Sequence, residues 1–220
     1  MARIARVVVP DFPHHITQRG NRRQKVFFVE TDYEAYITLM SEWCKKCDVE
    51  IWAYCLMPNH VHLIATPKTK EGLHKAIGEA HRRYTRMINF RKKWRGYLWQ
   101  GRFASFPMDD IYMFRAARYI EMNPVRAGIV DHPEEYLWSS AKAHLNWEDD
   151  KLVKVAPILE KSINWRTYLK EKESKEFEDK YEKHQRTGRP FGDDSFVERL
   201  GSILSRDLRL KKAGRKPKKK

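Results

Sequence analysis

Hydrophobic and polar residues follow two periods along this chain, one near two and one near 3.6. His14-His15-Ile16-Thr17-Gln18-Arg19 predicts a short strand, broken by Gly20-Asn21. Thr31-Asp32 opens a helix over roughly residues 31–47, where Tyr33, Tyr36, Ile37, Met40 and Trp43-Cys44 recur at helical spacing. Glu50 to Leu56 is a β-rich run, Met57-Pro58-Asn59 a turn, and His60 to Thr66 a second strand. Strands this close pair as an antiparallel hairpin. Leu73, Ile77, Ala80-His81, Tyr84, Met87-Ile88 and Phe90 mark a long helix over 71–91. Tyr97 to Phe106 predicts a further strand, and 109–122 a further helix. Asp109 or Asp110 caps that helix. It ends near Asn123-Pro124, because proline disfavours helical geometry in the residue before it.

The order β-α-β-β-α-β is that of the ferredoxin-like split unit. The expected class is therefore α+β: an antiparallel sheet with helices on one face, followed by a C-terminal helical and basic extension. The pattern divides into a main domain over 1–145, a helical linker over 146–185 and a basic, partly flexible extension over 186–220. Within the linker, Lys170 to Lys183 mixes charges with few apolar positions and predicts an exposed helix. Asp193 to Leu204 predicts a short capped one.

Charge changes the picture. The 220 residues hold 44 Lys or Arg against 29 Asp or Glu, a net charge of +15. Such a balance favours a polyanionic partner, most simply nucleic acid. The last fifteen residues, from Arg206, carry nine of those cations, Lys211, Lys212, Arg215 and Lys216 among them, against Asp207 alone. Tails of this kind order on meeting a polyanion. Other cations group as Arg19, Arg22 and Arg23 after the first strand, and as Arg82, Arg83 and Arg86 on the long helix. Gln100 and Arg102 sit among the aromatics of the predicted fourth strand, a mixture suited to unpaired bases. Three cysteines, Cys44, Cys47 and Cys55, do not make a paired disulfide framework, and one C-x-x-C lacks the second pair of a zinc site. No apolar run approaches 18 residues, so a soluble, cytoplasmic protein with no membrane partner is expected.

His60-Val61-His62 carries the chemistry. Alternate strand residues face one side, so the two imidazoles project together, their Cα atoms roughly 6.5–7 Å apart. That is half a metal site, which His14 or His15 could join. Tyr119 and Asn123 lie four apart, on one helical face if Asn123 belongs to the last turn. A phosphodiester is cleaved by a nucleophile with charge neutralisation at the phosphate. Two imidazoles and a side-chain oxygen can hold a divalent ion with positions open for phosphate oxygens. Phosphate and harder ligands suit Mg²⁺ or Mn²⁺, imidazole tilting towards the latter. Tyr112 is a rival nucleophile, but its i+4 neighbour, Ala116, offers no ligand.

Met57 to Ile64, Leu98 to Phe103, and Arg118 to Gly128 with its Tyr-x-x-x-Asn-Pro-Val-Arg-Ala-Gly resemble the one-tyrosine HUH single-strand transposases of the IS200-like superfamily. The likeness is greatest to the REP-associated tyrosine transposases and covers roughly residues 5–140. It implies a ferredoxin-like sheet, His60 and His62 as metal ligands and Tyr119 as nucleophile. Asn123 falls where transposon-encoded relatives carry a glutamine that completes the metal site, and is one methylene shorter. It also implies a DNA partner, single-stranded or folded as a palindromic hairpin, nicked and rejoined through a 5′-phosphotyrosine by a monomer or homodimer. Arg126 joins the DNA-contacting cations on the same ground. The alternative is a non-catalytic DNA-binding regulator descended from such an enzyme.

Overall fold

A computed structural model describes residues 4–161 and 164–209. Lys211, Lys212, Arg215 and Lys216 lie outside the described residues. Four strands, β1 (His14–Arg19), β2 (Val49–Met57), β3 (His60–Pro67) and β4 (Ala104–Pro107), form one antiparallel sheet in the order β2-β3-β1-β4. With α1 (Glu30–Lys46) and α2 (Gly72–Lys92) they make the expected ferredoxin-like unit. α1 and α2 pack on each other and, through Tyr36, Met40, Ile77 and Tyr84, on the core. The opposite face receives α3 (Asp110–Glu121) and, later in the chain, α8 (Lys175–Thr187).

The fourth strand is shorter than the sequence pattern predicts. Tyr97 to Phe103 is loop, turned by Gly96 (φ 93°) and Gly101 (φ 71°), conformations that favour glycine. Trp99, Phe103 and Leu98 plug the core from that loop, Trp99 stacking on His81 with centroids 4.6 Å apart, while Tyr97 is exposed. Periodicity could not separate this use of an apolar run from a strand.

Asp109 caps α3 by accepting from the Tyr112 N–H. The chain stays near helical geometry through Met122 (φ −81°, ψ −3°) and opens a short second helix, α4 (Asn123–Arg126), with Pro124 in its first turn. Asn123 thus begins a new turn rather than ending the old one. Proline tolerates that place, where a missing N–H breaks no hydrogen bond.

After α4 come α5 (Ala141–Asn146), α6 (Ala156–Leu159), α7 (Trp165–Lys170), α8 and α9 (Asp194–Leu204). The stretch expected to be a linker belongs to the main core: Leu152, Val153, Ile158, Leu159, Trp165, Leu169, Phe177 and Tyr181 are all buried in it. The helix expected to be exposed buries Phe177 and Tyr181, one turn apart. Two aromatics, with Thr187 at its end, dock a helix of 13 residues whose other positions are mostly charged. Val7 and Val9 meet Phe196, Leu200 and Leu208 in a second, small cluster, tying the start of the chain to its C-terminal part.

A fully buried carboxylate pins α3. Glu121 Oε1 accepts from Ser140 Oγ and contacts His144 Nδ1, each at 2.5 Å, while Oε2 accepts from Trp165 Nε1 at 2.9 Å. All lie at 0–2 % exposure. Glu121→Ala leaves His144 Nδ1 and Trp165 Nε1 without this acceptor, at about 1–3 kcal/mol for each orphaned group, while Ser140 Oγ keeps the Tyr54 carbonyl at 3.3 Å. The variant is expected to unfold at markedly lower urea concentration than the wild type, as followed by circular dichroism. Glu121→Gln, which keeps one oxygen acceptor, is expected to fall between the two.

Candidate active site

β1 pairs with β3 so that Thr17 lies opposite His62 and Arg19 opposite His60. On β4, Ala104 lies opposite Thr17. Strand alternation therefore sets His15, Thr17, Arg19, His60, His62 and Ala104 on one face. The two imidazoles of β3 stand edge to face with centroids 5.0 Å apart, as their spacing predicts. β3 begins at His60, straight after the turn.

Across these side chains runs the end of α3. Tyr119 and Asn123 line the same cavity of about 680 Å³ as His60 and His62, together with Thr17, Arg19, Arg23, Gln100 and Arg102. The whole constellation comes from one chain. The Tyr119 ring is half-buried between the Arg126 guanidinium, 3.8 Å from its centroid, and the Tyr181 ring at 4.6 Å. Tyr112, the rival, stacks on Phe191 at 3.9 Å and does not line this cavity.

Each β3 histidine has its Nδ1 engaged. His60 Nδ1 lies 2.6 Å from Asn59 Oδ1, and His62 Nδ1 lies 2.9 Å from His15 Nε2. Burial pushes the His60 pKa down to about 4, with the Arg19 charge adding to it. Burial drives His62 well below the ordinary range, helped by His15, His60, Arg19 and Arg126. Both rings are neutral near pH 7 and keep one nitrogen lone pair each. Neutral imidazoles of this kind are suited to a divalent cation. Among the described residues, no three His, Cys, Asp or Glu side chains come together to hold a metal. Side-chain oxygens that line the cavity beside the two imidazoles include the amides of Asn123 and Gln185, the Thr17 hydroxyl and the Glu182 carboxylate. Asn123 Nδ2 is buried with no partner, an orphan that a phosphate oxygen would satisfy, or a cation if the amide is turned over. The donor set therefore fits such an ion.

Of the other expected DNA-contacting residues, Arg22 is exposed beside Arg23 in the turn after β1. Arg82 and Arg83 face Glu79 at 2.6 and 3.8 Å on the outer side of α2, and Arg86 is exposed nearby. Arg126 sits on Tyr119 and 4.0 Å from Glu178. Sequence reasoning missed Glu182, Gln185 and Arg186, which reach the cavity from α8. The signal was Phe177-x-x-x-Tyr181-x-x-x-Gln185, one stripe of a helix taken as solvated. Of the early histidines, His14 is structural: its Nε2 accepts from the Val9 N–H at 3.1 Å and its Nδ1 faces the Phe12 carbonyl at 2.8 Å. The C-x-x-C pair lies in α1 and its end, where burial pushes the Cys44 thiol up to about 12.

A ferredoxin-like sheet with a histidine pair on its central hairpin, crossed by a helix bearing a tyrosine, defines a recognisable class of protein. The family described as IS200-like transposases matches residues 8–123, more than half of the chain. The chain belongs to that family of DNA transposases. No curated protein matches it. Among solved structures, one of a REP-associated tyrosine transposase bound to a REP hairpin is similar at 20 % identity and a TM-score of 0.57. That match covers 70 % of this chain and 95 % of the other. It shows that the two share a fold. A putative transposase from Deinococcus radiodurans R1 matches at 21 % identity over 54 % of this chain and 95 % of its own, with a TM-score of 0.39. Among the described residues, no helix is long and apolar enough to cross a membrane.

The buried imidazoles give a spectroscopic expectation. At pH 5.5 a free histidine is about nine-tenths protonated. His60, with its pKa pushed down to about 4, is expected to show the nitrogen shifts of a neutral ring at that pH in long-range ¹H–¹⁵N spectra. Protonated shifts there would contradict the buried geometry.

Proposed function

We propose that this protein nicks and rejoins single-stranded or hairpin DNA, with Tyr119 as the nucleophile. The observation that carries the reading is the entry of Tyr119 and Asn123 into the cavity that holds His60 and His62. Tyr119 Oη attacks the backbone phosphorus. The new P–O bond forms as the bond to the 3′ oxygen breaks. The phenol loses its proton and the leaving oxygen gains one. A 5′-phosphotyrosine and a free 3′-hydroxyl result. Attack by another 3′-hydroxyl reverses the step and joins strands without ATP, because the link keeps the energy of the bond it replaced.

His60 and His62, through Nε2, and the Asn123 amide oxygen would hold Mg²⁺ or Mn²⁺, which when bound supplies neutralisation of phosphate charge. Arg126, its guanidinium 3.8 Å from the centre of the Tyr119 ring, holds the phenol in place. Arg19, Arg23, Arg102 and Arg186 rim the cavity and face incoming phosphates. Gln18 and Arg102 also line an adjoining cavity of about 410 Å³ whose wall includes Tyr97, Trp99 and Phe103. Tyr97, exposed there, offers an aromatic face on which an unpaired base leaving the cleavage site would stack. The similar transposase was solved on a REP hairpin, which supports a hairpin with a single-stranded flank as the substrate class.

The test is a labelled hairpin with single-stranded flanks, incubated with Mn²⁺ and resolved on a denaturing gel. The wild type is expected to give a covalent protein–DNA band. Tyr119→Phe is expected to give none while binding the same DNA with little change. No band from the wild type, or an equal band from Tyr119→Phe, would overturn the mechanism. Binding that is unaffected by a chelator and leads to no cleavage would mark a regulator instead.

A further inference from the structure

His15 has no part in the reaction described above, yet it touches the site. Thr17 lies opposite His62, so His15 is the diagonal neighbour of His62 on the same sheet face. Diagonal neighbours on paired strands are within reach of aromatic side chains. Here His15 Nε2 lies 2.9 Å from His62 Nδ1, and the rings are inclined by only 25° with centroids 5.2 Å apart. His15 is completely buried and His62 nearly so.

Two neutral imidazoles that meet nitrogen to nitrogen share one proton between those atoms, and there are two ways to place it. If the proton is on His15 Nε2, His62 Nδ1 accepts it. The one N–H proton of His62 then sits on Nε2, where it blocks any cation. If the proton is on His62 Nδ1, His62 Nε2 is a free lone pair and His15 carries its own proton on Nδ1. His15 Nδ1 is buried and has no hydrogen-bond partner. The His15 ring is packed between the rings of Phe106 and Tyr181, at 5.1 and 5.0 Å. Aromatic rings packed beside a buried nitrogen can accept a weak hydrogen bond from an N–H but offer nothing to a lone pair. His60 shows the same arrangement by ordinary means. Asn59 Nδ2 donates to the Arg23 carbonyl at 3.3 Å, which orients the amide. Its Oδ1 then accepts from His60 Nδ1.

We propose that His15 is a positioning residue that locks His62 in the tautomer protonated on Nδ1, leaving the Nε2 lone pair for a divalent cation. The cation half rests on the proposed function; the tautomer half does not. Groups that hold the far nitrogen of a metal-binding histidine are usually carboxylates, carbonyls or waters. Here a second histidine, enclosed by two aromatic rings, takes that role.

The full-length wild type is compared with His15→Phe and His15→Gln, the latter supplying an amide oxygen near the lost Nε2. Long-range ¹H–¹⁵N spectra of the metal-free proteins identify the His62 tautomer. Calorimetry measures Mn²⁺ binding. Wild type is expected to show His62 protonated on Nδ1. His15→Phe should shift it to a mixture and weaken Mn²⁺ binding by about 10–100-fold. His15→Gln should recover most of that loss, which a merely structural role would not predict. If His62 is protonated on Nε2 in the wild type, or its tautomer is the same in His15→Phe, the proposal fails. If His15→Phe does not fold, the wild-type spectrum and the His15→Gln pair still decide it. A wild type that holds the Nδ1 tautomer but binds no Mn²⁺ supports the lock and counts against the metal reading alone.

Discussion

Six residue pairs hold β1 against β3, from His14 opposite Ala65 to Arg19 opposite His60. Sliding this ladder by one residue would turn His15 and Thr17 away from His62 and put Ile16 and Gln18 in their place. In many sheets the polar outer face prevents such a slip. This sheet has helices on both faces, and polar residues of the paired strands such as His14, His15, Gln18 and His62 are buried rather than facing solvent. The register is fixed at its end instead. Gly20 donates to the Asn59 carbonyl at 2.8 Å, joining the end of β1 to the turn before β3. Any Cβ at Gly20 would lie 2.2 Å from the Gln24 carbonyl oxygen, so only glycine permits that closure. The Met57-Pro58-Asn59 turn, the start of the histidine pair and the end of β1 are thus one constraint.

The tyrosine is placed by a different set of forces, mostly from the C-terminal third. On one side of α3, Glu121 is held by Ser140, His144 and Trp165. On another, Arg118 is buried and pairs with Glu171 at 2.6 Å and with Glu173. A buried guanidinium is tolerable only when its charge is met in this way. Residues 119 and 121 do not share a helical face, so the carboxylate can be sealed in the core while the phenol faces the cavity. Tyr181 from α8 and Arg126 from α4 then hold the phenol ring from its two sides. The segment after residue 146 is therefore part of the apparatus that positions Tyr119.

How much of this was legible in the sequence follows from which signals are local. The strand and helix order, the histidine pair and the Tyr119–Asn123 spacing are short-range patterns, and the structure brings those residues together. The fourth strand was misjudged because Tyr97 to Phe103 is apolar for a different reason: it fills the core from a glycine-bent loop. α8 was misjudged because two buried aromatics among charges leave a weak stripe, and its docking partner lies on β1 and β4, over 70 residues earlier. His15 was legible as a histidine that could join the metal site, but not as the partner of His62. Its relation to His62 depends on strand register, which no window of the sequence contains.

Charge completes the division of labour. Many acids of the chain are spent away from the cavity: Glu79 on Arg82, Asp32 on Arg91, Asp149 on Lys154, Asp110 on Lys161 and Glu134 on Arg166. Around the cavity, Arg19, Arg23, Arg102 and Arg186 stand with one carboxylate, Glu182. The imidazoles add no charge there, since burial keeps His60 neutral above about pH 4 and His62 further still. Attraction for a phosphate thus rests on guanidinium groups, whose charge does not change between pH 5 and 9. The histidines remain free to act as lone-pair donors. A site built with charged imidazoles would draw in the same anion but have no nitrogen left to hold a cation beside it. On the proposed function, arginines at the rim would meet the phosphate and buried histidines on the strand the cation, so that one cavity could take both.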